Sequence, residues 1–272
     1  MSDYRETPAE QNGRFRPLAS FLVALRFLTR LPIPFVRTLD PPPLSTAMGM
    51  FPLAGAVIGA LTGTALVTAQ QLGLATTFAA ICAVAFGLLI TGALHEDGLA
   101  DVADGFGGGV TFEHRLAIMR DSRIGAFGAL ALGLALMAKT ALFAELQQFT
   151  AWQAVALVAC ASAFSRALVV DLLWATRPAR RDGLSVMAGR PGRFTTLLAL
   201  GLGGIGAGFG AALVLSPAHA VLALVTGGIA TAAVRGLAMS KIGGQTGDVC
   251  GAAQVVSEIA MLAVFTATLS LD

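Results

Sequence analysis

The sequence predicts an all-α protein, a polytopic membrane bundle of about seven transmembrane helices, with six as the alternative count, plus short interfacial helices. Three observations carry that prediction. First, 56% of the 272 residues are hydrophobic and 12% are charged, so the chain has too little polar surface to cover a soluble globule. Second, the apolar residues are gathered into runs of the roughly 20 residues that a helix needs to cross a bilayer. Third, Lys and Arg are concentrated in alternate connecting segments.

Residues 1–16 are polar and are expected to be disordered, since they offer nothing to bury. Residues 17–272 then form a single integral-membrane domain. Leu18, Phe21, Leu22, Leu25 and Leu28 recur at helical spacing and predict an interfacial helix over 17–31. Arg26 and Arg30 break that stretch, which therefore lacks the shape of a signal peptide and is expected to stay attached. Pro32, Pro34 and Pro41 to Pro43 give a stiff connector.

The first predicted span, 48–69, carries Gly55, Gly59 and Gly63, a small-xxx-small face on which another helix should pack closely. The second, 74–94, is expected to run on as helix into a polar stretch. Gly107 to Gly109 read as a flexible turn without the GxxxxGK[ST] pattern of a P-loop. Phe112, Leu116 and Met119 repeat at i, i+4, i+7 and predict a short helix on the membrane surface. Further spans follow at 124–144, 152–176, 194–216, 218–240 and 249–271.

With seven spans, the Lys- and Arg-bearing segments all fall on one face, and the segments around Gln70, Gln147 and Pro217, which have none, fall on the other. The positive-inside rule makes the first face cytoplasmic, in a bacterial inner membrane. No basic stripe interleaved with aromatics marks a nucleic-acid partner. Cys82, Cys160 and Cys250 lie far apart, without metal-ligand spacing, and read as core residues.

The polar stretch at 95–125, HEDGLADVADGFGGGVTFEHRLAIMRDSRIG, is where chemistry is expected. On a helix, Asp97, Asp101 and Asp104 stack on one face. Their mutual repulsion makes a bound divalent cation the simplest remedy, and a hard ion such as Mg²⁺ prefers carboxylate oxygen. Arg115, Arg120 and Arg123 follow, and guanidinium groups fork onto phosphate. Metal-holding carboxylates followed by arginines point to phosphoryl transfer. Gly98 and Gly105, each directly after an Asp, would let a nucleotide approach the backbone. His95, Asp121 and Asp248 are the candidate bases, unranked among themselves. Charges inside spans are costly and functional by default; Lys139, Arg166, Asp171, Arg235 and Glu258 qualify, with Arg166 added to the phosphate-binding set.

HEDGLADVADG at 95–105, RLAIMRDSRIGAFGALAL at 115–132, GGQTGDVCGAAQVVSE at 243–258 and FLTRLPIP near the N-terminus together resemble the cobalamin synthases, the adenosylcobinamide-GDP ribazoletransferases. The resemblance implies that a hydroxyl of α-ribazole, or of its 5′-phosphate, attacks the cobinamide-linked phosphorus of adenosylcobinamide-GDP. GMP leaves, and adenosylcobalamin or its 5′-phosphate forms. DVADG at 101–105 also matches the DxxDG opening of the CDP-alcohol phosphotransferase motif, but the match stops there. Such a phosphotransferase with a lipid acceptor is one alternative. A divalent cation transporter is another, although the acidic stretch has no second copy of the kind that paired repeats supply. Nothing in the sequence separates a monomer from a homo-oligomer.

Overall fold

The computed structural model describes residues 16–33 and 41–267, and twelve α-helices account for most of them. The expected disorder of the N-terminus, the Pro34 part of the connector and the end of the last predicted span lie outside the described residues. Helix α1 (Pro17–Leu28) and the single turn α2 (Leu44–Ala47) precede the long helix α3 (Phe51–Gln71). Helices α4 (Thr76–Thr91), α5 (Leu94–Gly108) and α6 (Phe112–Ile118) carry the chain through the polar stretch. Then come α7 (Ala126–Glu145), α8 (Ala151–Ala175), the short α9 (Leu184–Ala188), α10 (Arg193–Val214), α11 (Pro217–Ile242) and α12 (Gly247–Thr266).

Six helices among the described residues are long and apolar enough to cross a membrane, and a seventh span is added if the bent pair α4 and α5 counts as one. The chain is an integral membrane protein. Helices α8 and α12 are the most enclosed. The outer helices instead present apolar stripes at four-residue spacing: Leu130 and Leu134 on α7, Ile205, Phe209 and Leu213 on α10, and Val221, Val225 and Ile229 on α11. In a bilayer such stripes face lipid, which is as apolar as they are.

The glycine face of α3 packs as its spacing predicts. A Cβ on Gly55 would lie 2.5 Å from the carbonyl oxygen of Ser162, and one on Gly59 would lie 2.6 Å from that of Val158. The two backbones touch, so α8 is held against α3 along three turns. Lipid gives no hydrophobic drive for this contact; close van der Waals packing supplies it.

One expectation needs correction. The second span does not continue straight into the polar stretch: α4 and α5 meet at 92°. Gly92 (φ 67°) and Ala93 (φ 55°) both adopt left-handed backbone at the joint. Glycine does so freely, whereas the alanine costs about 1–2 kcal/mol. The α1 end braces the joint, with the Arg30 amide donating to the Ile90 carbonyl at 2.7 Å and the Arg30 side chain filling the space beside Gly92. Gly107 and Gly108 are likewise the last turn of α5 rather than a free turn.

Gly59→Ala is expected to lower stability in detergent by about 1–3 kcal/mol, because the added methyl meets backbone that cannot yield. Gly133→Ala, where a Cβ would meet nothing within 4 Å, is the control and should hold or raise the thermal midpoint. Equal midpoints for the two variants would remove the α3–α8 contact as a determinant of folding.

Candidate functional site

Helix α12 begins at a clasp between two loops. The Gln245 amide donates to the Arg177 carbonyl at 2.9 Å, and the Ala179 amide donates to the Gln245 carbonyl at 2.8 Å, a single parallel bridge outside any sheet. The clasp carries the loop after α8 onto the start of α12. Thr246 then caps α12, its hydroxyl accepting from the Val249 amide at 3.3 Å. Asp248 is therefore not needed as the cap. Its carboxylate takes a hydrogen bond from the Thr246 hydroxyl at 3.1 Å and lies 3.5 Å from the Arg180 guanidinium.

Helix α5 crosses this point backbone to backbone. A Cβ on Gly98 would lie 2.8 Å from the Asp248 carbonyl oxygen, and one on Gly251 would lie 2.9 Å from that of His95. Two glycines thus bring the acidic helix against the α12 N-terminus. Asp101 gains Asp248, Asp97 and Asp104 as like-charged neighbours, with Arg180 the cation among them.

The crossing borders a cavity of about 100 Å³. Its polar side holds Asp97, Asp248, His95 and Arg166. Its remaining wall is apolar and includes Phe27 and Phe51, stacked with centroids 5.7 Å apart. Two of its lining residues carry buried polar atoms without a partner, Nε of Arg166 and the hydroxyl of Ser185, and so does Arg180 beside Asp248, at Nε and Nη1. Cationic donors left open beside carboxylates are what an anionic substrate would complete.

Behind the cavity lies a buried charge cluster. Lys139 on α7 lies 2.9 Å from Glu96 on α5 and 2.8 Å from Glu258 on α12. Glu258 in turn lies 3.8 Å from Arg166 on α8. Nη1 of Arg166 also donates to the Ser162 hydroxyl at 2.6 Å. Two cations and two anions balance, as a low-dielectric interior demands. His95 and Arg166 line both this smaller space and the larger cavity.

The predicted site residues divide. Asp97, Asp101, Asp248, His95 and Arg166 come together. Asp104, by contrast, caps α7, its two carboxylate oxygens accepting from Gly125 at 2.7 Å and Gly128 at 2.8 Å. Arg115 is spent on backbone carbonyls, donating to Gly109 at 3.1 Å and to Lys241 at 2.9 Å. Arg120 pairs with Asp182, and Arg123 with Asp121, all outside the cavity. Hydrogen bonds from the Arg123 side chain and, secondarily, from its backbone amide hold the exposed Asp121 carboxyl down at about 2, which makes it a poor base. Gly98 and Gly105 face protein rather than open space, the latter with a would-be Cβ 2.5 Å from Met119. Among the described residues, no three His, Cys, Asp or Glu side chains form a ready-made metal set.

The chain as a whole matches known proteins. A family model described as cobalamin-5-phosphate synthase, CobS, matches residues 20–266, from α1 to the last residue of α12. The chain belongs to the CobS family. It is 43% identical to an adenosylcobinamide-GDP ribazoletransferase of Azorhizobium caulinodans, with 91% of this chain and 95% of that one covered. It is 42% identical to one of Mesorhizobium japonicum (91% and 93% covered) and 37% identical to one of Shewanella frigidimarina (93% and 95% covered). No solved structure matches the chain.

At this crossing, Arg180 and Ser185 are residues that the sequence reading did not single out. Arg180 counted only as a topology signal, and Ser185 had no signal at all. The usable hint was an arginine-rich loop on the same face as the acidic stretch. Glu96, also without a role in the sequence, proves to be half of the Lys139 cradle.

Gly98→Ala is expected to part α5 from α12, since the methyl would meet the Asp248 backbone. Activity should fall by on the order of a hundredfold with a smaller loss of thermal stability. Full activity in that variant would mean that the crossing does not set the site geometry.

Proposed function

We propose that this chain is an adenosylcobinamide-GDP ribazoletransferase acting at the α5–α12 crossing. What carries the reading is Asp97 and Asp101 from one helix, Asp248 from another and Arg180 from a third segment, gathered beside a cavity that reaches Arg166. A hydroxyl of α-ribazole, or of its 5′-phosphate, attacks the cobinamide-linked phosphorus of adenosylcobinamide-GDP. The new oxygen–phosphorus bond forms as the phosphoanhydride bond breaks, and GMP departs.

Each nearby group has a task in that exchange. Asp248 lies in the first turn of α12, beside the Arg180 guanidinium and hydrogen-bonded by the Thr246 hydroxyl. It orients the attacking hydroxyl and takes its proton. Arg180 and Arg166 retain donors without partners, suited to the phosphate oxygens on which charge builds. His95 lines the same cavity, buried with its backbone against Gly251, and no proton transfer is assigned to it.

Mg²⁺ suits the donors present: Asp97 and Asp101 are hard oxygen ligands in a crowd of like charge. Magnesium commonly uses one or two carboxylates and completes its shell with water and substrate phosphate, so a closed protein cage is not required. When bound, it would neutralise the leaving phosphate as a Lewis acid. Asp104, with both oxygens engaged on α7, would serve by fixing the end of α5.

Asp101→Asn and Asp248→Asn should each cut GMP release by on the order of a hundredfold or more, and for Asp101→Asn thermal stability should hold or rise because repulsion from its acidic neighbours is relieved. The assay is GMP formation by purified protein with both substrates and Mg²⁺. Near-normal turnover in either variant would remove that carboxylate from the reaction.

The same reading sets the site on the cytoplasmic face of the inner membrane, by the bias of Lys and Arg toward that end. With Cys82 replaced by Ala, a cysteine at exposed Leu72 should react with an impermeant thiol reagent in intact cells and one at exposed Arg181 should not. The reverse pattern would invert the topology.

A further inference from the structure

A second space opens beside helix α1, apart from the carboxylates. It is a groove of about 440 Å³ between α1 and α2, lined by Val23, Arg26, Phe27, Pro41, Pro42 and Leu44. Five of those six side chains are apolar, and Arg26 is the one charge among them. Arg26 is exposed, and among the described residues no hydrogen bond or ion pair engages it. Pro41 and Pro42 bring no backbone N–H to the rim, so a polar ligand atom in the groove has the guanidinium and water to meet.

The depth of the groove follows from what α1 packs against. Ala24, Leu25 and Leu28 are buried in one cluster with Met48 and Phe51, where α3 begins, and with Ile90, in the last turn of α4. One long apolar helix starts there and another ends. Helix α1 therefore lies at an edge of the hydrocarbon layer, level with the lipid phosphates. An arginine at that depth beside apolar surface is matched by a molecule with the same two halves.

We infer that the α1–α2 groove binds one anionic phospholipid, with Arg26 on its phosphate diester and Val23, Phe27 and Leu44 against its glycerol and upper acyl carbons. Charge decides the headgroup. A zwitterionic lipid would bring an ammonium group to a wall that has no carboxylate, whereas a net-negative lipid needs only the cation present. Apolar area decides against free phosphate, which would gain one guanidinium and leave five apolar side chains uncovered. Size agrees as well. The groove has the volume of about fifteen waters at roughly 30 Å³ each, room for a glycerol phosphate and several methylenes, while the rest of each acyl chain lies in the bilayer alongside. Phe27 lines both this groove and the cavity beside Asp248, so the two spaces share a wall.

Binding requires neither substrate of the proposed reaction, so the test reads the purified full-length chain alone. Native mass spectrometry in detergent is run with dioleoyl-phosphatidylglycerol, with dioleoyl-phosphatidylcholine and with inorganic phosphate. The unmodified chain should retain one phosphatidylglycerol in preference to phosphatidylcholine. Arg26→Gln should cut that preference about fivefold, the scale of one basic residue at a lipid surface. Arg193→Gln, which removes an exposed charge from the start of α10, should leave it within about twofold. Val23→Trp should fill the groove and weaken both lipids. If Val23→Trp gives no cooperative thermal melt, the two arginine variants still decide, because both side chains are exposed and their loss strains no packing. No loss in Arg26→Gln, or an equal loss in Arg26→Gln and Arg193→Gln, would mean only a general attraction to the basic surface and would overturn the site. Displacement of the bound lipid by inorganic phosphate would overturn it too, by making the groove a seat for free phosphate.

Discussion

Lys139 is a cation that two buried carboxylates share, and the geometry of the crossing hangs on it. Glu96 follows His95 on α5, and Glu258 lies on the helix that begins with Asp248, so the lysine between them ties the two acidic helices together from behind. Glu258 passes the constraint to Arg166, and through it to α8. Removing one member would strand an uncompensated charge, a loss of about 3–5 kcal/mol for a buried pair. The cluster also keeps α5 from sliding along α12 at the glycine crossing. Side chains that meet no substrate in this account therefore fix the ones that do.

Much of the architecture was legible because lipid imposes simple rules. Apolar runs of bilayer length gave the spans, and Gly55, Gly59 and Gly63 gave the face on which α8 packs. The acidic stretch marked the site because charged residues are rare in such a chain. What failed was the inference from spacing to partner. Asp97, Asp101 and Asp104 share a helical face by sequence, yet Asp104 turns to the start of α7, which lies 21 residues on. Capping of another helix leaves no trace in a local pattern.

The arginines show the same limit from the other side. Arg115, Arg120 and Arg123 lie closest in sequence to the acidic residues, but backbone carbonyls and surface carboxylates engage them. The guanidinium that does reach Asp248 is Arg180, delivered by the clasp between residues 177–179 and Gln245. A non-local bridge of two hydrogen bonds decided this, and no periodicity announces such a bridge. The 92° joint escaped for a related reason: Gly92 permits left-handed backbone, but nothing in the sequence required Ala93 to follow it.

The shortness of α4 has a consequence for where the chemistry sits. Its 16 residues span about 24 Å at 1.5 Å each, some 6 Å less than a typical hydrocarbon core of about 30 Å. Because the chain turns sharply at its end, α5 cannot make up the difference by extending outward. The membrane must thin locally, or the carboxylates must sink to the depth of the lipid headgroups, at a fraction of a kcal/mol per ångström of mismatch. In the second case the acids of α5 lie recessed, ringed by headgroups rather than by bulk water, and whatever reaches them must pass through that polar layer of lipid.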